Sequence, residues 1–215
     1  MQDTVRKQYL SLAGHPVVSH SLITFDECEE IEEICLVVSQ KDIDYCQKNI
    51  LSPLKLQKKV HLVPGGPHRQ ASVYKGLLAI DQKTTTVVIH DGVRPFIQSE
   101  HLTSCILGTK DFGACILAIP ASDTLKQVER SGYIKKTLTR NAVWLAQTPQ
   151  AFHYSLIMKA HETAQRDGFI GTDDALLVER MGKDVKVIKG SQANIKITTR
   201  EDLAVAQAMI DAGLV

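Results

Sequence analysis

The chain has 215 residues, 44% of them apolar and 23% charged, with a formal net charge of +1 at pH 7. That is enough chain to bury a full core in a single domain spanning 1–215, and too even a charge for the broad basic footprint of a nucleic-acid binder. No run reaches the ~18 apolar residues of a membrane span, Met1-Gln2-Asp3-Thr4 does not open a secretory signal, and the five cysteines show no Cys-x-x-Cys. The expectation is a reduced, cytoplasmic protein with no membrane or nucleic-acid partner.

In chain order, a polar hexamer leads into Lys7-Gln8-Tyr9-Leu10, where a doubly wound domain would open with a strand and a phosphate-binding turn. A helix is expected over 16–27, then a buried strand at 33–39, a helix over 41–51 and a strand at 59–63. Helix 68–80, strand 86–91, helix 99–110 and strand 114–120 follow, each strand an almost continuous run of β-branched and apolar residues. Such strands separated by helices imply a Rossmann-like α/β fold, with a mostly parallel sheet covered by helices on both faces.

The pattern breaks between 122 and 141. Asp123–Val128 and Tyr133–Leu138 flank the turn Glu129-Arg130-Ser131-Gly132, which reads as a polar β-hairpin with little core of its own. A projecting arm that finds its burial on a partner chain is the expectation. Helices over 154–167 and 172–182, strands at 184–189 and 194–198, and a closing helix over 200–212 complete the chain.

Parallel sheets bind ligands at the carboxyl ends of their strands, so the polar residues there carry the candidate chemistry. His90-Asp91-Gly92-Val93-Arg94-Pro95 ends a strand with an acid, a glycine and a base. Asp91 can offer an oxygen to Mg²⁺, Gly92 lets backbone approach a ligand, and Arg94 can fork onto a phosphate. A plain strand-ending turn would also carry Asp-Gly, and both readings stay open. Gly65-Gly66, with Arg69 and Ser72 three to seven positions on, lies between a strand and a helix. That turn could read a base edge through its amides, or be an ordinary connection. Lys7, Arg140 and Lys196 are separated cations of the kind nucleotidyl transfer needs, although a lone strand lysine usually faces water. Thr172-Asp173-Asp174 reads first as a helix cap with first-turn acids, and His90 as an inward-facing histidine rather than a metal ligand.

Together these strings resemble the 2-C-methyl-D-erythritol 4-phosphate cytidylyltransferase family. They include Lys7-Gln8-Tyr9-Leu10, Gly65-Gly66 with Arg69 and Ser72, and His90 to Pro95. Asp123-Thr124-Leu125-Lys126, Arg140-Asn141 with Trp144, Gln147 to Phe152, Thr172-Asp173-Asp174 and Asn194 to Thr199 continue the order. The resemblance implies direct attack of the polyol phosphate on the CTP α-phosphate, with release of pyrophosphate. It implies Lys7, Lys196 and Arg140 as catalytic cations, Asp91 at the Mg²⁺, and Gly65, Gly66, Arg69, Ser72, Asp91 and Gly92 around the nucleotide. Arg94, Thr124, Arg140, Thr148 and Thr172 would hold the polyol phosphate, in a homodimer joined through the 122–141 arm. The family's first strand and glycine-rich loop have no counterpart before Lys7, so this chain is expected to be an impaired enzyme. A ribitol 5-phosphate cytidylyltransferase and a non-catalytic dimeric relative are the alternatives.

Overall fold

The computed structural model describes residues 6–215, and Met1-Gln2-Asp3-Thr4 lies outside them. A short 3-10 turn at Lys7–Tyr9 precedes the two-residue strands β1 (Ser11–Leu12) and β2 (His15–Pro16), then helix α1 (Val17–Glu27). Strand β3 (Glu33–Val38) leads through short helical turns, among them α2 (Ile43–Cys46) and α3 (Ser52–Leu54), into β4 (Lys59–Pro64). Helix α4 (Arg69–Ala79), strand β5 (Thr86–Ile89), helix α5 (Ser99–Phe112) and strand β6 (Ala114–Pro120) come next. The hairpin β7 (Lys126–Val128) and β8 (Ile134–Thr137) is followed by β9 (Trp144–His153), helices α6 (Tyr154–Arg166) and α7 (Asp174–Arg180), strand β10 (Lys186–Lys189) and helix α8 (Arg200–Asp211).

The main sheet has the order β10-β6-β9-β5. β10 runs parallel to β6, whereas β9 is antiparallel to both β6 and β5. β5, β6 and β10 therefore share one direction, and the single reversed strand β9 sits between two of them. β9 was not expected as a strand, and the strand expected at 194–198 is not formed. The Ile197 amide instead donates to the Val93 carbonyl (2.9 Å), so this segment docks as a loop on the turn after β5.

Strand alternation sorts the core. Ala114 and Ile116 of β6 and Phe152 of β9 face Leu77 of α4, Ile157 and Ala160 of α6 and Leu177 and Val178 of α7. Leu117 and Ala151 point to the other face, against Leu102, Cys105 and Ile106 of α5. Helices thus cover both faces of this sheet, as expected. Helix α8 starts on a capping box, in which Thr199 accepts from the Asp202 amide and Asp202 reaches back to the Thr199 backbone.

β3 and β4 form a separate parallel pair packed on α1, with Ile34, Val38, Leu22 and Ile50 in a second core. Between β3 and β5 a cleft of about 1000 Å³ opens, lined by both strands together with Tyr9, Arg69, Ser72, Asp91, Gly92 and Lys196. Among the described residues, neither β3 nor β5 uses its cleft-facing edge in a ladder. The arm expected over 122–141 takes shape as β7–β8, with every strand residue exposed.

Candidate active site

The cleft floor is built from the turn that ends β5. The Arg94 amide donates to the Asp91 carbonyl (2.9 Å), closing the turn, and the Asp91 amide donates to Thr148 Oγ1 of β9 (3.0 Å). His90 Nε2 lies 3.0 Å from the Arg94 carbonyl, which can only accept, so Nε2 carries the proton and Nδ1 accepts from the Thr148 hydroxyl (3.2 Å). Burial holds the His90 pKa down at about 4, which keeps this neutral tautomer in place. His90 is therefore a structural brace, as expected. Gly92 packs so closely on α1 that a Cβ there would lie 3.2 Å from Val18 Cγ2.

The loop after β10 is tied to the same turn. Arg94 Nη1 donates to the Asn194 carbonyl (2.6 Å), and Asn194 Nδ2 donates to the Thr148 carbonyl (2.8 Å). Gln147 Nε2 donates to the Ser191 carbonyl (2.8 Å). These bonds, with the Ile197–Val93 contact, carry Lys196 to Asp91 across more than a hundred residues of sequence. Lys196 Nζ donates to Asp91 Oδ2 (2.8 Å), while Arg69 Nε, from the first turn of α4, donates to Oδ1 (2.9 Å).

Burial alone would raise the Asp91 pKa, but the charge of Arg69 and the hydrogen bonds from Lys196 and Arg69 outweigh it and bring the pKa to about 2. For Arg69, burial works against the cation, and Asp174 followed by Asp91 overcomes it and raises its pKa. Asp91 and Arg69 therefore both stay charged at physiological pH. Lys196 and Arg69 remain partly open to the cleft, so an anion entering it meets two fixed cations.

Among the described residues, no three His, Cys, Asp or Glu side chains gather where they could cage a metal. Each Asp91 oxygen holds one cation and keeps a second lone pair. Asp91 could therefore still offer an oxygen to a divalent cation that draws its other ligands from elsewhere.

The Gly65-Gly66 turn sits on the cleft rim. Its closeness to α4 requires glycine: a Cβ on Gly66 would come within 2.5 Å of Ala71 Cβ. The Gly66 amide donates to Ser72 Oγ (3.0 Å), which itself donates to the His68 carbonyl, so that amide is already engaged. Arg69, Asp91, Thr148 and Lys196 are thus brought together, with Ser72 and Gly92 lining the same cleft. Arg94 lies beneath the turn, its Nε buried without a partner. Lys7, Thr124, Arg140 and Thr172 are exposed, and none has a hydrogen bond to the cluster; Arg140 Nη1 instead donates to the Ser122 carbonyl at the arm's base (2.6 Å).

Sequence reading missed Asp174, His161 and Gln150. The helix expected to open at Thr172 starts two residues later: Asp173 is its cap, accepting from the Leu176 amide (3.0 Å), and Asp174 turns inward and is fully buried. Paired acids at a helix start carried that signal, since only one of two neighbours can serve as the cap.

Comparison with known proteins identifies the family. The sequence pattern of the 2-C-methyl-D-erythritol 4-phosphate cytidylyltransferase family matches residues 1–212. A protein of that name from Syntrophus aciditrophicus is 46% identical over 210 residues, covering 98% of this chain and 90% of the relative. Another from Pelotomaculum thermopropionicum is 44% identical over 212 residues, covering 99% and 89%. The crystal structure of a 4-diphosphocytidyl-2C-methyl-D-erythritol synthase from Anaerococcus prevotii superposes with a TM-score of 0.89 at 36% identity, over 96% of this chain and 90% of that one. With its sequence matched almost from end to end and its fold shared, this chain belongs to the 2-C-methyl-D-erythritol 4-phosphate cytidylyltransferase family.

Proposed function

We propose that the chain joins CTP to 2-C-methyl-D-erythritol 4-phosphate, giving 4-diphosphocytidyl-2-C-methyl-D-erythritol and pyrophosphate, and that the cleft beside Asp91 is where it does so. Family membership supports the reaction. The observation that carries the site is the Arg69–Asp91–Lys196 cluster at the carboxyl end of β5, open to the cleft between β3 and β5.

An oxygen of the polyol phosphate attacks the α-phosphorus of CTP as the bond to the bridging α–β oxygen breaks, and pyrophosphate leaves with that electron pair. No covalent enzyme intermediate is needed. The chain's task is to neutralise charge and to hold two anions in line. Lys196, fixed by Asp91, presents its ammonium to the α-phosphate, and Lys7 adds a second cation from the turn at Lys7–Tyr9. Gly65, Gly66, Arg69, Ser72 and Gly92 surround the nucleotide. Asp91 would hold Mg²⁺, which would supply further charge neutralisation on the phosphates.

Arg94, Thr148 and Thr172 serve the polyol phosphate, and Thr124 and Arg140 reach it from the arm of a second copy in a homodimer. Exposed Val128, Tyr133 and Ile134 on the arm support that pairing. The five cysteines are all free and no described helix is long and apolar enough to cross a membrane, which suits a cytoplasmic enzyme.

The test is pyrophosphate release from CTP and Mg²⁺ with each polyol phosphate in turn. Release with the methylerythritol substrate and little with ribitol 5-phosphate is expected. The reverse preference would reassign the substrate, and CTP binding without release from either would favour a non-catalytic relative.

A further inference from the structure

Arg69 does not stop at Asp91. Its Nη1 donates to Asp174 Oδ2 (2.7 Å), and Asp174 Oδ1 accepts from His161 Nε2 (3.0 Å). Asp174 and His161 have side chains only 1% exposed. The His161 ring is stacked on Tyr74 of α4, at 6.0 Å between centroids and 14° between planes. Gln150 of β9 fixes the start of α7 from below, its Oε1 accepting from the Asp174 and Ala175 amides (3.2 and 3.1 Å) and its Nε2 donating to Asp173 Oδ2 (2.8 Å). One continuous chain of contacts therefore runs from half-buried Tyr74 and buried His161, through Asp174 and Arg69, to Asp91 and Lys196 in the cleft.

A carboxylate removed from water costs several kcal/mol unless it is paired, and a buried ion pair often stabilises a fold no better than apolar side chains would. Asp174 is thus a poor device for stability and a good one for geometry. Arg69 is a long, flexible side chain at the edge of an open cleft. Held only by Asp91, it would be free to swing onto any incoming phosphate and take Asp91 with it. Held at its other end by an immobile carboxylate, it presents one Nε–H in one place, and Asp91 has one rotamer that accepts both Arg69 and Lys196.

We propose that Asp174, clamped by His161 and Gln150, is a positioning residue for nucleotidyl transfer, acting through Arg69 and Asp91 to fix Lys196. This rests on the reading of the cleft as the nucleotidyl-transfer site. Asp174 touches no substrate. Its carboxylate sets where the reactive cations stand rather than how tightly the nucleotide binds.

The variant Asp174→Asn keeps the volume but removes the negative charge that holds Arg69, and its NH₂ can meet His161 Nε2 only if the ring moves its proton to Nδ1. A fall in kcat of at least about tenfold is expected, with KM for CTP altered less than about threefold, since geometry in the transition state is what suffers. Placed on an Asp91→Asn background, the same change should cost less than about twofold more, because the route through Asp91 is already cut. Equal losses in both backgrounds, or a loss confined to KM, would overturn the proposal. Should Asp174→Asn fail to fold, His161→Gln leaves the Asp174 charge and loosens only its clamp; a smaller kcat loss is expected, and unchanged kcat would count against the idea. The Arg69 Nε–H signal in ¹⁵N NMR of the unliganded chain reads the same claim without turnover. It should exchange slowly in the starting protein and quickly in either variant. No change in that signal would sink the positioning role even if CTP chemistry is absent, whereas absent pyrophosphate release with the change in the signal would sink only the assignment of the reaction.

Discussion

β6 and β9 form the interior of the molecule, and β7 and β8, which lie between them in sequence, form its most exposed element. Ala114 to Ala118 and Gln147 to Phe152 are buried without a break, while no residue of β7 or β8 is. Backbone pairing separates them in part, since β6 and β9 are each paired on both edges and β7 and β8 only with each other. The side-chain environment separates them further: β6 and β9 have helices on both faces, and the arm has water on both. Two-stranded ribbons without a covered face are marginal on their own. The sheet interior therefore carries stability, and the arm adds little to it.

The largest contrast is expected from truncating the interior. Phe152→Ala, at a fully buried side chain, should cost about 3–5 kcal/mol in denaturant unfolding. A loss below 1 kcal/mol would show that the sheet is not the stabilising unit. Lys196→Ala should leave stability nearly unchanged, since its side chain is 42% exposed, yet lower kcat by about 10²–10³. A stability loss without a kinetic one would move Lys196 from chemistry to structure.

The enclosed turn after β5 predicts a pH effect. Unfolded, His90 takes up a proton near the usual 6.5; folded, burial delays that to about 4. The unfolded chain thus binds more protons across this window, and stability falls as pH drops from 6.5 to 4, by on the order of 2 kcal/mol. His90→Asn should flatten that part of the stability profile, and an unchanged slope would show that His90 is not kept neutral. The smallest effect belongs to the arm. Ile134→Ala, at a side chain 61% exposed, should alter the unfolding free energy of the monomer by less than about 0.5 kcal/mol. It should nevertheless weaken self-association in sedimentation, and a large stability loss in the monomer would erase the contrast between arm and interior.

Much of this was legible beforehand because the helices and the strands β3 to β6 are written in hydrophobic period. β9 was not, for a physical reason. Its centre, Gln147-Thr148-Pro149-Gln150, is polar and contains a proline, which reads as a loop. In the structure these residues are buried, with Thr148 bonded to the Asp91 turn, Gln150 to the start of α7 and the Gln147 amide NH₂ to the Ser191 carbonyl. The segment at 194–198 failed in the opposite sense: its alternation imitates a strand, but the Ile197 amide is claimed by Val93 rather than by a ladder. Asp91 and Lys196 could be nominated from their strings, yet their direct contact depends on long-range docking that no local pattern encodes. Asp174 was hidden by its neighbour Asp173, which performs the capping that either acid could have done.

The central claim is that Asp91, with Arg69 and Lys196 fixed upon it, organises nucleotidyl transfer. The most direct measurement is pyrophosphate release with CTP, Mg²⁺ and 2-C-methyl-D-erythritol 4-phosphate, comparing this chain with its Asp91→Asn variant. A fall in kcat of about 10²-fold or more, measured well below the variant's own lowered melting temperature, is the expected result. Equal rates from the two proteins would contradict it and place the reaction elsewhere on the molecule.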